Sequence, residues 1–259
     1  VPRTLRTLAD GVLVATSRTD ATTTTVLVRG GRAVLVDPAW WPDELDALAA
    51  DLGAHGLSIT AGWSTHAHED HVLWHPGFGT APRWATPRAA ARAAADRTAL
   101  LAALGPAFDR PDLRALVGAV RGLPGDRVPQ PFGTDGPDEP LLVVAHDGHA
   151  PGHGALWAPE RGLLVAGDVL SDVELPLPFD PDDLEAYRAG LDVLAPVVAR
   201  ARVLVPGHGT PTDRPLERLD ADRRYLDAVL AGRPVDDPRL GRPGMAAAHA
   251  RTLALARGG

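Results

Sequence analysis

Three histidines and an aspartate fall within six positions of this chain, in Thr65-His66-Ala67-His68-Glu69-Asp70-His71. Packing alone does not explain that density of ligand-type side chains; metal binding does. A neutral imidazole is the commonest protein metal ligand, and imidazole with carboxylate suits zinc and its borderline-soft neighbours. The preceding run Leu57 to Ser64 contains a β-branched, partly apolar stretch of strand type. The cluster therefore sits where a strand ends and the chain turns. On an extended segment His66 and His68 point the same way, because side chains alternate with period two. Asp70 and His71 lie past the turn and aim at a second point, so one short segment can serve two ions.

Three further segments share a grammar of apolar strand, small or kinking residue, then a ligand-type side chain. Leu141 to Ala145 runs into Asp147-Gly148-His149-Ala150-Pro151-Gly152-His153-Gly154. Leu163 to Gly167 ends in Asp168, and Val203-Leu204-Val205-Pro206-Gly207 ends in His208. Each alone is weak, since Asp and other polar residues are common in turns. Four such strand ends in one chain point to a shared rim.

The order His-x-His-x-Asp-His, Gly-His-x-Pro-Gly-His, Gly-Asp and Pro-Gly-His-Gly resembles the metallo-β-lactamase superfamily of binuclear metallohydrolases, from about Thr23 to Leu230. The resemblance implies a four-layer αββα sandwich, an α+β fold with two mixed sheets face to face and helices outside. It places one metal on His66, His68 and His149, a second on Asp70, His71 and His208, and Asp168 between them as a bridge. It makes the first histidine of the Gly-His-x-Pro-Gly-His turn the ligand, leaving His153 in a supporting or packing role. Asp37, at the end of Ala33 to Val36, is expected to support the metals from behind. No ligand position is substituted, unlike the iron-dependent flavodiiron relatives in which the second histidine becomes glutamate.

The ligand set implies two zinc ions, with iron or manganese as alternatives. Water held between two divalent cations loses a proton near neutral pH and attacks, while Asp70 orients it and carries its proton as the catalytic side chain. The expected activity is a zinc-dependent hydrolase acting on an ester, thioester, lactone or β-lactam. A β-lactamase with an all-histidine first site, a mononuclear iron oxidoreductase of the persulfide-dioxygenase type, and a non-catalytic scaffold stay open; metal content and a substrate panel separate them. The asparagine and lysine that many β-lactamases use to hold a carboxylate do not occur in this sequence. The lactonase tyrosine three residues after the bridging aspartate is replaced by Ser171, and no tyrosine directly follows His208 as in glyoxalase II relatives. Neutral esters or lactones are therefore expected to be cleaved better than phosphodiesters or glutathione thioesters.

At 259 residues the chain is read as one large domain, 1–259, with a helical insertion or cap around 87–130. A formal charge of -7 offers no basic footprint for nucleic acid. No apolar run reaches the roughly 20 residues of a membrane helix, so a small-molecule substrate is the expected partner. The oligomeric state is left undetermined. The opening Val1 to Leu8 shows no leader h-region, and a cytoplasmic location is expected of a chain trimmed at its start. With no cysteine, thiol chemistry and disulfides are excluded within these residues.

The elements that must position the donors follow from pattern. Gly11 to Val36 reads as two or three strands, and Trp41-Pro42 opens a helix with acids in its first turn. Arg83 to Thr86 is a strand, Pro87 to Leu104 an alanine-rich helix, and Pro111 to Val120 a second helical stretch with Phe108, Leu113, Leu116, Val117 and Val120 at helical spacing. Asp180-Pro181 is expected to start a helix ending near Ala199; Arg214 to Leu230 and Gly244 to Arg257 are two more. Trp40, Trp41, Trp74 and His75 are candidates for a pocket wall or metal support, with the apolar face of 111–120 completing the wall if it is a cap. Ser171 could reach a substrate or form a turn. His146 is expected to face away from the metals, and Arg88, Arg92 and Arg97 to form a solvated face.

Overall fold

The computed structural model describes residues 4–133 and 139–258; Val1 to Arg3, part of the opening read for a leader, lie outside the described residues. The chain divides into two compact units, Val1–Val143 and Val144–Gly259. The first holds a seven-stranded sheet in the order β1 (Arg6–Ala9), β2 (Val12–Thr16), β3 (Thr23–Arg29), β4 (Arg32–Val36), β5 (Ser58–Trp63), β6 (Arg83–Ala85) and β7 (Arg121–Gly122). Pairing is antiparallel from β1 to β4 and parallel from β4 to β7. The switch follows from the connections: turns of two to six residues join the antiparallel strands, whereas a parallel neighbour needs a crossover. Helix α1 (Pro42–Ala54) supplies the one between β4 and β5. Ala33 to Val36 of β4 are fully buried, as expected of an apolar strand flanked on both edges.

Helices α2 (Pro87–Ala95), α3 (Arg97–Ala103) and the short α4 (Pro111–Arg114) fill the 87–130 region. The expected single helix from Pro87 breaks at Asp96, which ends α2 and begins α3. Arg97 turns inward there, donating to the Val117 carbonyl at 3.1 Å and to that of Arg114, so it does not belong to a solvated face. The second stretch is helical only over α4. Phe108, Leu113 and Val117 lie in the same buried cluster as Leu45, Leu73 and Trp74. The apolar face that a cap would turn to a substrate is thus committed to the core of this unit.

The second unit contains the sheet β11 (Val203–Pro206), β10 (Leu163–Gly167), β9 (His153–Ala158), β8 (Leu142–His146), with β8 entering from the end of the first unit. Strands β10 and β11 are parallel, joined through α5 (Leu184–Val198), and β9 is antiparallel to β10. Helix α5 begins later than expected because Asp183, not Asp180, accepts the Ala186 amide as its cap. Helices α6 (Pro215–Leu230) and α7 (Met245–Gly258) complete the unit. Among the described residues no helix is long and apolar enough to cross a membrane.

Candidate functional site

In the first unit the parallel register pairs Val36 with Trp63, so the residues just past both strands lie side by side. Asp37 leaves β4 with φ 47°, an uncommon conformation for a side chain with a β-carbon. Its Oδ1 accepts the Thr65 amide at 2.9 Å, and its Oδ2 accepts the Thr65 hydroxyl at 2.7 Å and lies 3.0 Å from His71 Nδ1. That last contact fixes the His71 tautomer: a proton on Nδ1 leaves the Nε2 lone pair for an ion. His71 Nε2 lies 3.1 Å from Asp70 Oδ2, which also accepts from the Thr22 hydroxyl at 3.4 Å. Thr65 Oγ1 sits 3.0 Å from His66 Nδ1, and His66 Nε2 faces His68 Nδ1 at 2.9 Å.

The cluster is a series of bends and turns, not an extended strand. His66 and His68 converge because the chain folds back, with the His71 amide on the His68 carbonyl at 3.1 Å, and not by strand alternation. His66, Asp70 and His71 are buried and His68 is half-buried.

In the second unit Asp168 and Gly207 follow the parallel ends of β10 and β11, where Gly167 pairs with Pro206. A β-carbon at position 207 would overlap Asp168 Oδ1, so the close approach requires glycine there. Asp168 Oδ2 lies 3.1 Å from His208 Nε2 and 3.4 Å from His149 Nε2. His149 holds φ 70°, left-handed like Asp37 and here at a donor position; such strain clusters at functional sites. His153, fully buried, accepts the Asp168 amide on Nε2 at 3.2 Å and stacks on His146 at 4.5 Å between centroids. It supports the Asp168 strand end from behind. Burial lowers the His146 pKa to about 4, against partial opposition from Asp147.

Sequence reasoning missed three residues here. Glu174 brings a carboxylate oxygen within 4.8 Å of the Asp168 and His208 donors. Asp222 and Arg239, both buried, form an ion pair at 2.6 Å. The signal for Asp222 was its place in the apolar row Leu219, Asp222, Leu226, Val229 of α6.

The remaining candidates fall elsewhere. Ser171 Oγ donates to the His208 carbonyl at 2.7 Å and accepts the Val173 and Glu174 amides at 3.0 Å each, so it builds a turn that ties two donor loops together. Trp74 is a core residue, its indole on the Gly79 carbonyl at 3.2 Å and its ring against Phe78. His75 pairs with Asp46 of α1 at 2.9 Å and accepts the Gly77 amide. Packing claims the first and a surface pair the second, which corrects the expectation that they line a pocket or support a metal. Trp40 and Trp41 stack at 6.3 Å and pack against the core of the first unit. Trp41 also donates to Thr19 at 2.7 Å under the Arg18 guanidinium, pinning the β2–β3 turn.

The donor chemistry fits a divalent ion. Tetrahedral zinc with bonds of about 2.0–2.1 Å puts its ligand atoms about 3.3 Å apart. The four donor separations, 2.9 and 3.1 Å in the first unit and 3.1 and 3.4 Å in the second, lie close to that edge.

The model of the Metallo-beta-lactamase superfamily matches residues 18–208. The chain belongs to this superfamily. Its fold is also that of solved members. A metallo-beta-lactamase family protein from Thermus thermophilus superposes with TM-score 0.64 at 22% identity, covering 96% of this chain and 93% of that one. FIM-1 from Pseudomonas aeruginosa, solved in its mono-zinc form, gives 0.63 at 17% identity over 88% and 96%. A metallo-beta-lactamase from Erythrobacter litoralis gives 0.62 at 19% over 85% and 96%. No curated protein sequence matches the chain. Superfamily membership and the expected fold class both stand, and the His/Asp groups can hold a divalent metal.

Proposed function

We propose that this chain is a binuclear zinc hydrolase acting on a small ester, thioester, lactone or β-lactam. The carrying observation is the ligand-edge spacing of all four donor pairs, held by Asp37 in one unit and Asp168 in the other. In this reading, which follows the superfamily's pattern, His66, His68 and His149 would hold one ion and Asp70, His71 and His208 the other, with Asp168 shared by both. Its Oδ2 is already shared between two imidazoles, as a bridge requires. The mono-zinc form of FIM-1 supports zinc as the metal of this fold. Bound there, two divalent cations would supply the positive charge that makes water nucleophilic at neutral pH and polarises a substrate carbonyl.

The chain's own groups do the rest. Asp70, buried and anchored by Thr22 and His71, takes the proton of the attacking water and returns it to the leaving group. Asp37 keeps His71 in its ligating tautomer. Glu174 adds negative charge beside Asp168 and His208, which favours neutral substrates over anionic ones.

Elemental analysis of protein purified without chelator should give about two zinc equivalents per chain, with hydrolysis of at least one neutral acyl substrate. A constant single equivalent of iron with oxygen uptake would replace this reading with the persulfide-dioxygenase one.

A further inference from the structure

Between Asp168 and Leu175 the chain is irregular, yet its backbone is tied down group by group. Leu170 donates its amide to Asp222 Oδ2 at 3.0 Å while holding φ 62°. Val169 donates to the Gly167 carbonyl at 2.9 Å, and Leu175 to Met245 Sδ at 3.2 Å. The carbonyls of Ser171 and Glu174 accept from Arg239 Nη1 at 3.0 and 2.9 Å, and the same nitrogen meets Asp222 Oδ1. Asp237 grips the other side of the guanidinium, accepting from Nε at 3.0 Å and Nη2 at 2.8 Å. Burial opposes charge on Arg239, but the Asp237 hydrogen bonds and the Asp222 charge outweigh it and hold its pKa above the ordinary value.

A buried ion pair is poor evidence for stability, because apolar side chains of similar volume often pack as well. What leucine or methionine cannot supply is N–H groups in a rigid planar fork aimed at two carbonyls of one loop. We propose that Asp222 and Arg239 are positioning residues. They fix the 168–175 loop so that Asp168 Oδ2 stays within reach of His149 and His208, with Glu174 beside them. The inference rests on Asp168 and His208 being metal ligands, as read above.

The test compares hydrogen exchange of residues 169–175 in the metal-free chain with zinc affinity measured against a chromophoric chelator. The variants are Arg239→Met, Arg239→Lys and the double change Asp222→Leu with Arg239→Met, which removes both members of the buried pair and leaves the Asp237 carboxylate at the edge of the site without its guanidinium partner. Asp192→Asn, which breaks the exposed Arg223–Asp192 pair between α5 and α6, is the control. The double variant should lose about tenfold or more in protection of the loop and about 10- to 100-fold in affinity for one zinc. Arg239→Lys should recover protection only in part, and Asp192→Asn should change neither quantity. Unchanged loop exchange in the double variant overturns the proposal; so does faster exchange with unchanged zinc affinity, which would make the pair merely structural. A wild-type chain that takes up no zinc defeats the hydrolase reading itself, and loop exchange still decides whether the pair holds the loop.

Discussion

In the first unit four donors come from six consecutive positions, His66 to His71, on one turn after β5. In the second unit three donors come from places as far apart in sequence as His149, Asp168 and His208. The first set stands past the carboxyl end of β5, beside its parallel neighbour β4; in the second, Asp168 and His208 stand past the parallel β10 and β11, and His149 lies between β8 and β9. Their supports differ accordingly. One carboxylate, Asp37, serves Thr65 twice and His71 once. The second set leans on His153, Ser171, Gly207, Asp222 and Arg239, each holding one piece. A contiguous set can be oriented from a single point, whereas a dispersed set needs every loop fixed separately.

The sharpest way to break the comparison is to remove a donor that also handles the proton. Asp70→Ala should lower kcat by about 10²- to 10⁴-fold, beyond any loss of metal, when assayed at saturating zinc. A loss that zinc saturation fully restores would reduce Asp70 to a ligand.

Next come the supports. Asp37→Asn should weaken zinc binding by about 10- to 100-fold, because an amide nitrogen in place of Oδ2 cannot accept from His71 Nδ1 or from the Thr65 hydroxyl. His149→Ala should cost at least one metal equivalent, whereas His153→Gln, one of several supports, should cost less affinity than Asp37→Asn. Equal metal loss in the His149 and His153 variants would show that the ligand was assigned to the wrong histidine.

The contiguous set was legible directly: spacing alone announced His66 to His71. The dispersed set was legible as repeated strand ends pointing to one rim, but which of their side chains serve as ligands came only through resemblance, because a single histidine or aspartate at a strand end is ordinary. Glu174 and Arg239 left no signal in the sequence, and Asp222 only its place in an apolar row of α6. Asp222 reads as one polar residue of a helix whose polar positions are many, and its partner lies 17 residues on, in a short turn. The choice between Asp180 and Asp183 as the cap of α5 was likewise beyond local rules, since both are good N-cap residues. The break at Asp96 has a tertiary cause as well, in the carbonyls of residues 114 and 117 that draw Arg97 inward.

The last effect concerns pH, touches stability and not catalysis, and belongs only to the second unit. An unfolded His146 would take a proton near 6.5, and the folded ring does so only near 4. Between those values the unfolded chain binds more protons, so this contribution is complete above pH 6.5 and is lost as pH falls toward 4. It amounts to about 3 kcal/mol at most. Urea unfolding of metal-free protein from about pH 7 to 4 should show the decline, and His146→Gln should flatten it. An identical slope in the variant would assign the acid sensitivity to other groups.

Gly207 carries its meaning in what it lacks. The space beside Asp168 admits a hydrogen and not a β-carbon, and every other amino acid has one. In genetic terms, each missense change at that codon sets a β-carbon against the same carboxylate, whichever residue it introduces.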